Sequence, residues 1–221
     1  MQGRLARALP RVVDPAPWTA DEQAILDTLT SPAAIQTFLD SIPYSTDKTY
    51  RSPSSVLRDR KAHCFDGAVL AAAALRRLGQ RPLIIDLRAW RDDDHVLALH
   101  RFQGHIGCVS KSNVSLLRFR EPVFRTLREL VMSYFEFYFN VESQKALREY
   151  SVPIDLSQFD ARSWTHDDAV MDTIADRLDT IHHHGLLTEA MIANLTLTDR
   201  RTYDACMLGS DDAGLFKPAP E

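Results

Sequence analysis

An α+β fold in a single domain is what the sequence predicts, and three features of the 221-residue chain lead there. Residues 61–78, KAHCFDGAVLAAAALRRL, form an alanine-rich apolar helix with a cysteine near its start. After Gly79 comes PLIIDLRAW, a β-branched and apolar run that reads as a buried strand. Two further strand-like runs, HVLALHRF and HIGCVSK, are separated only by Gln103-Gly104, a short hairpin connection. A small antiparallel sheet packed on a helix satisfies all three patterns.

Composition narrows the class. The chain is 45% hydrophobic and 25% charged, with room for one core and a helical annex. A net charge of −4 offers no electrostatic attraction to nucleic acid or to an acidic membrane surface. Cys64, Cys108 and Cys206 are too scattered for a disulfide framework or a zinc-finger spacing, so the expected setting is reducing and cytoplasmic. The N-terminus is broken by Pro10 and lacks a continuous apolar stretch, which argues against a signal peptide. No run approaches the roughly 18 apolar residues of a spanning helix.

Taken in order, residues 1–18 read as an irregular arm, interrupted by Pro10, Pro15 and Pro17. Thr19 with Glu22 makes a capping box for a first helix through DEQAILDTL. Ser31-Pro32 and Ser52-Pro53 each set an N-cap followed by proline at the first helical position. Between them, residues 43–55 are polar and turn-rich. Gly79 after Arg76-Arg77 ends the cysteine helix. Residues 19–120 are thus the expected core, and 121–221 a mainly helical extension packed on it. In that extension REPVFRTLRELVMSYFEFYFN starts a helix at Pro122 with a wide apolar stripe, and a second helix runs through DDAVMDTIADRLDTIHHH to Gly185.

Cys64 is the first candidate for chemistry, because a thiol near a helix N-terminus feels unpaired N–H groups that favour thiolate. A nucleophilic thiol needs a base, and histidine titrates in the right range. His95 follows Cys64 by 31 residues, at the head of the strand after the acidic turn. His63 is a sequence neighbour of Cys64 and does not share its helix face. His100 lies roughly 17 Å along the strand from His95. Asp94 beside His95 is expected to raise the pKa of the imidazole.

The segment SPSSVLRDRKAHCFDGAVLAAAALRRLGQRPLIIDLR resembles the core of the transglutaminase-like superfamily, in its bacterial-type form. The matching positions are Val56, Leu57, Cys64, Asp66, Ala68 and Leu78-Gly79, and the match covers about residues 43–114. The resemblance implies a papain-like triad: a nucleophile at Cys64, a histidine at the next strand's start, His95, and an Asx on the strand after it. A strict two-residue loop places Ser112 opposite His95, and one extra residue places Asn113 there. Asn113 is chosen, since its side-chain carbonyl can accept the imidazole N–H; Ser112 and Ser110 stay open.

The expected activity is cysteine-dependent acyl transfer through a thioester on Cys64. Water as acceptor makes it a hydrolase and an amine a transferase, with a peptide or a small amide or ester as substrate. Lys111, Arg118 and Arg120 form a basic cluster that would select carboxylate- or phosphate-bearing substrates, and Tyr44 and Trp90 would wall the cleft. The bland alternative for the arginines is a solvated loop. His182-His183-His184 and Asp92-Asp93-Asp94 read as a helix end and a solvated turn, so neither metal nor cofactor is expected. A non-catalytic binding module of the same fold is the alternative function, and VMSYFEFYF is the candidate surface for a homodimer.

Overall fold

The computed structural model describes residues 17–218, so the N-terminal arm lies almost wholly outside the described residues. In chain order the elements are α1 (Ala20–Thr28), α2 (Pro32–Ser41), α3 (Pro53–Asp59), α4 (Cys64–Arg77), β1 (Leu83–Ala89), β2 (His95–Phe102), β3 (His105–Val109), β4 (Arg120–Phe124), α5 (Leu127–Met132), β5 (Leu147–Ser151), β6 (Ile154–Asp155), α6 (Ala169–Thr180), β7 (His183–Gly185), α7 (Glu189–Ala193) and α8 (Arg200–Met207). The strands form one antiparallel sheet in the order β4-β3-β2-β1-β5-β7, with β6 also pairing β1.

The local signals act as expected in the first half. Thr19 and Glu22 close a capping box, and Ser31 and Ser52 cap α2 and α3 ahead of their prolines. Cys64 is the first residue of α4, and His63 is its N-cap, its Nδ1 accepting from the amides of Phe65 and Asp66. Gln103 and Gly104 both take positive φ, so the hairpin is a two-residue turn that pairs Phe102 with His105.

Two apolar layers sandwich the sheet. Ile84, Val96 and Ala98 face α4, which is buried on nearly all sides and carries four helices and Trp164 around it. Ile85, Leu87, Leu97 and Leu99 face the opposite way, against Leu130, Tyr134 and Tyr138. Period-two alternation in β1 and β2 feeds both cores at once, which is why both strands read as continuous apolar runs.

The second half differs from the helical expectation. REPVFRTLRELVMSYFEFYFN splits into β4, α5 and a 3₁₀ turn at Phe135–Phe137, because the backbone of β3 offers an open edge that Arg120–Phe124 pairs with. Its aromatic residues fill the second core, with Tyr134 and Tyr138 fully buried, instead of forming an exposed dimer face. The helix through DDAVMDTIADRLDT stops at Thr180, and the histidines continue as β7 on the edge of β5. Strands from residues 120–185 therefore complete the same sheet as the core.

Close approach of α4 to the chain after β3 depends on Gly67, since a Cβ there would overlap Cβ of Lys111. Lys111 cannot swing away, because its buried ammonium donates to the carbonyls of Leu39 and Ile42 at 2.8 and 2.6 Å. Gly67→Ala would gain about 1 kcal/mol of helix propensity on an isolated helix, but here overpacking costs about 1–3 kcal/mol. The variant is expected to unfold at lower urea concentration than the wild type, with an unchanged m-value, in an equilibrium titration followed by circular dichroism.

Candidate active site

Cys64 stands where the N-terminus of α4 meets the head of β2. Its Sγ lies 3.6 Å from the Asp94 carbonyl, which can only accept, so the contact keeps the sulfur protonated. The Val96 amide faces the sulfur in return, and the Cys64 amide faces the hydroxyl of Tyr44. Burial, followed by the nearby carboxylates of Asp93, Asp66 and Asp86, pushes the thiol up to about 12. A helix N-terminus favours an anion by about 0.3–1 kcal/mol, up to about 2 when partly buried. A rise from 9.0 to about 12 opposes it with roughly 4 kcal/mol. In the resting structure burial wins, and Cys64 is a thiol.

His95 is buried at the first position of β2, sharing the face of Leu97 and Leu99, and its ring meets Tyr138 edge-on at 6.4 Å. Its Nε2 donates to the Leu117 carbonyl at 2.8 Å, which fixes the proton on Nε2 and leaves Nδ1 as the basic nitrogen. Nδ1 has no hydrogen-bond partner, yet it is not among the buried atoms left unpartnered, so it reaches open space. The His95 ring also lines a cavity of about 60 Å³, together with Cys64, Tyr44, Asp94 and Tyr138 among others. No hydrogen bond joins the ring to Cys64 Sγ. Burial depresses the imidazole to about 4, and Asp94, expected to raise it, does not: its carboxylate accepts from the Ala89 amide instead.

Several expected site residues are placed elsewhere. Asn113 does not orient His95. The two-residue hairpin sets the register that would put Ser112 opposite His95, but the ladder ends at Val109, because the Gln36 side chain takes both backbone groups of Ser110. The chain peels away and returns with the Leu117 carbonyl over the imidazole. Asn113 instead pairs with the backbone of Asp211, donating to its carbonyl at 2.8 Å and accepting from its amide at 2.9 Å. Trp90 lines a separate cavity beside Lys145 and Leu197, between the guanidinium groups of Arg91 and Arg148.

The basic rim dissolves for the same kind of reason. Lys111 caps the end of α2, Arg118 pairs with Asp40 at 3.1 Å, and Arg120 lies 3.9 Å over the Tyr134 ring while donating to Ser133. The larger cavity at Cys64, about 540 Å³, is lined instead by Asp47, Asp86, Asp93, Asp94 and Asp179. Of the expected residues Tyr44, Asp94, Cys64 and His95 gather at one place, with Ser112 lining the same small cavity and Ser110 donating to the Leu117 carbonyl that holds His95.

Two further groups belong to this cleft. His63 lines it, but its Nδ1 lone pair is committed to capping α4, so it cannot serve Cys64 as a base. Asp86, on the α4 side of β1, meets Nε2 of His183 at 3.1 Å, and both side chains are buried. His183 Nδ1 faces the Ile181 carbonyl at 2.9 Å and must carry a proton there, so the contact with Asp86 holds a second one. Burial, then Asp94, raises Asp86. A charged residue within the apolar run PLIIDLRAW was the one sequence signal for it. Among the described residues no three His, Cys, Asp or Glu side chains converge as metal ligands, and no helix is long and apolar enough to cross a membrane.

No family model matches the chain, and no curated protein matches it. Two solved structures of LapG from Legionella pneumophila are similar in part. One is 17% identical with a TM-score of 0.34, covering 41% of this chain and 58% of that one. The other, EGTA-treated, is 14% identical with a TM-score of 0.39, covering 69% of this chain and 86% of that one. The chain thus spans 58% of the length of the first. Likeness this slight carries no weight for activity, and the site stands on its own residues.

The buried histidine has a measurable consequence. With a folded pKa near 4 against 6.5, the unfolded chain binds the extra proton between those values, so stability falls as pH falls through that window. His95→Gln removes this contribution. From pH 7 to 4.5 the variant is expected to lose on the order of 2 kcal/mol less stability than the wild type in urea titrations; equal losses would show the imidazole to be freely solvated.

Proposed function

We propose that the protein is a cysteine-dependent acyl-transfer enzyme of transglutaminase-like type, with Cys64 as nucleophile and His95 as its base. The observation that carries this is the tautomer of His95 beside Cys64: Nε2–H is anchored on Leu117, Nδ1 is left as the basic nitrogen, and the two residues line one cavity. That is the protonation state a base for a neighbouring thiol requires. Leu117 takes the orienting role that the sequence assigned to Asn113.

The reaction begins from a neutral pair. As the Cys64 sulfur bonds to the carbonyl carbon of an amide or ester, its proton passes to His95 Nδ1. The oxyanion that forms faces the Cys64 amide, in the position where the Tyr44 hydroxyl now rests. Collapse breaks the bond to the leaving amine or alcohol, which takes the proton from His95, and a thioester remains on Cys64. Water then yields an acid, or an amine a new amide, with His95 again relaying the proton. The acidic lining of the cleft favours a neutral or basic substrate over an anionic one.

A binding module with no chemistry is the second reading. It is supported by the thiol pushed up to about 12 and by the lack of a direct Cys64–His95 hydrogen bond. Acyl capture separates the two. With p-nitrophenyl acetate at pH 7.5, the enzyme reading expects a burst of nitrophenol and an acetyl thioester on Cys64 by mass spectrometry. It expects loss of both in Cys64→Ala and a slowing of about 10²–10⁴-fold in His95→Ala. Acetylation of lysines alone, unchanged by either substitution, would favour the binding module.

A further inference from the structure

We propose that the groove running from Asn113 across Tyr44 to Cys64 is a binding site for a peptide that makes a single 3₁₀ turn, occupied in cis by residues 211–217 of the same chain, whose turn spans Asp212–Gly214. The inference deepens the acyl-transfer reading by naming a peptide as the ligand class, and its relevance to turnover rests on that reading.

Three observations place the segment there. The side-chain amide of Asn113 holds both backbone groups of Asp211, the residue that caps the turn by accepting from the Ala213 amide through its own carboxylate. The clamp reads the backbone at that position, and the turn favours a capping side chain there. Next, Gly214 lies so close that a Cβ would come within 2.9 Å of both Asn113 Nδ2 and Tyr44 Cδ1. Last, residues 213–217 line the larger Cys64 cavity, and 214–216 the smaller one beside His95. Lys217 is the cationic member of a lining that holds five aspartates, so charge also matches.

The recognition code follows from these contacts. A ligand needs a backbone amide and carbonyl for Asn113 and, three residues on, a glycine abreast of the Tyr44 ring. A basic residue three further on faces the acidic wall. The helix just ahead of the segment, α8, is docked on a loop that matters to the base: Ser115 donates through its amide and hydroxyl to the carbonyl of Cys206, and the same loop carries the Leu117 carbonyl that holds His95. While the segment is in place, Cys64 is half-buried and a peptide in trans is excluded from the groove.

The test uses the full-length chain and a fluorescein-labelled peptide, SDDAGLFKP, matching residues 210–218. In the wild type the tethered segment competes at an effective concentration of order millimolar, so peptide added in trans binds weakly. Gly214→Val should eject the segment, speed iodoacetamide labelling of Cys64 and tighten peptide binding by about tenfold or more in anisotropy titrations. Gly214→Val with Asn113→Ala should leave Cys64 labelling fast but lose the peptide, because two hydrogen bonds worth about tenfold together are gone. A labelled peptide with valine for its glycine should not bind either variant.

Binding does not need the thiol, so Gly214→Val in a Cys64→Ala background must take the peptide equally well. If it does while Gly214→Val with Cys64 intact shows no acyl capture, the groove stands and the enzyme reading falls. A natively folded Gly214→Val chain, by near-ultraviolet circular dichroism, that neither binds the peptide nor labels faster overturns the proposal. Binding that ignores Asn113→Ala overturns it too.

Discussion

The buried carboxylate of Asp66 is the group on which the arrangement at Cys64 depends. It sits in the first turn of α4 with no exposure, accepts from the amides of Arg51 and His63, and faces the Arg51 guanidinium at 3.7 Å. One carboxylate thereby fixes the start of α4 and ties it to the loop that carries Tyr44. Arg51 in turn gathers Ser45, Asp47 and Asp59, so the polar loop before α3 is held against the helix by charge. Burial lifts Asp66 to about 6 despite these partners. Removing one member of a buried, hydrogen-bonded pair costs about 3–5 kcal/mol, since the other is stranded. The helix start is therefore rigid, and the position of Cys64 with it.

Sheet parity then sets what Cys64 can reach. Even-numbered side chains of β2 point at α4, and His95, an odd one, points into the opposite core. Within the body of a sheet such residues could never meet. His95 is the first residue of its strand, and Cys64 stands beyond the strand's end, so one small cavity touches both. The geometry produces a site at the rim of the sheet, where the backbone of residues 94–96 supplies the sulfur with an acceptor at Asp94 and a donor at Val96.

How much of this was legible in the sequence follows from the range of the interactions. Capping boxes, proline starts, the Gly79 stop and the Gln103-Gly104 turn are local, and each falls where its residues indicate. The helix of Cys64 and the strand of His95 were legible for the same reason. What failed involved partners distant in sequence. Gln36 ends the β3 ladder from 74 residues away, which removes Asn113 from His95. The open edge of β3 turns Arg120–Phe124 into a strand although its apolar spacing suits a helix. His183 joins Asp86 across 97 residues. Arginines that look like a substrate rim are consumed by Asp40, Ser133 and the face of Tyr134.

The energetics of the resting site give the segment at 211–217 a chemical meaning. Burial holds the Cys64 thiol well above and the His95 imidazole well below their ordinary ranges, so the resting pair is neutral on both sides. The first cause on both sides is burial, and part of that burial is the wall made by residues 214–216. Water or a polar substrate in their place would return hydration to both groups, lowering the thiol and raising the imidazole together. The N-terminal dipole of α4, outweighed while the cleft is walled in, would then act on a solvated sulfur. Under the proposed reading, cleft occupancy and the hydration of Cys64 and His95 would be one equilibrium, set by the same few side chains around Tyr44.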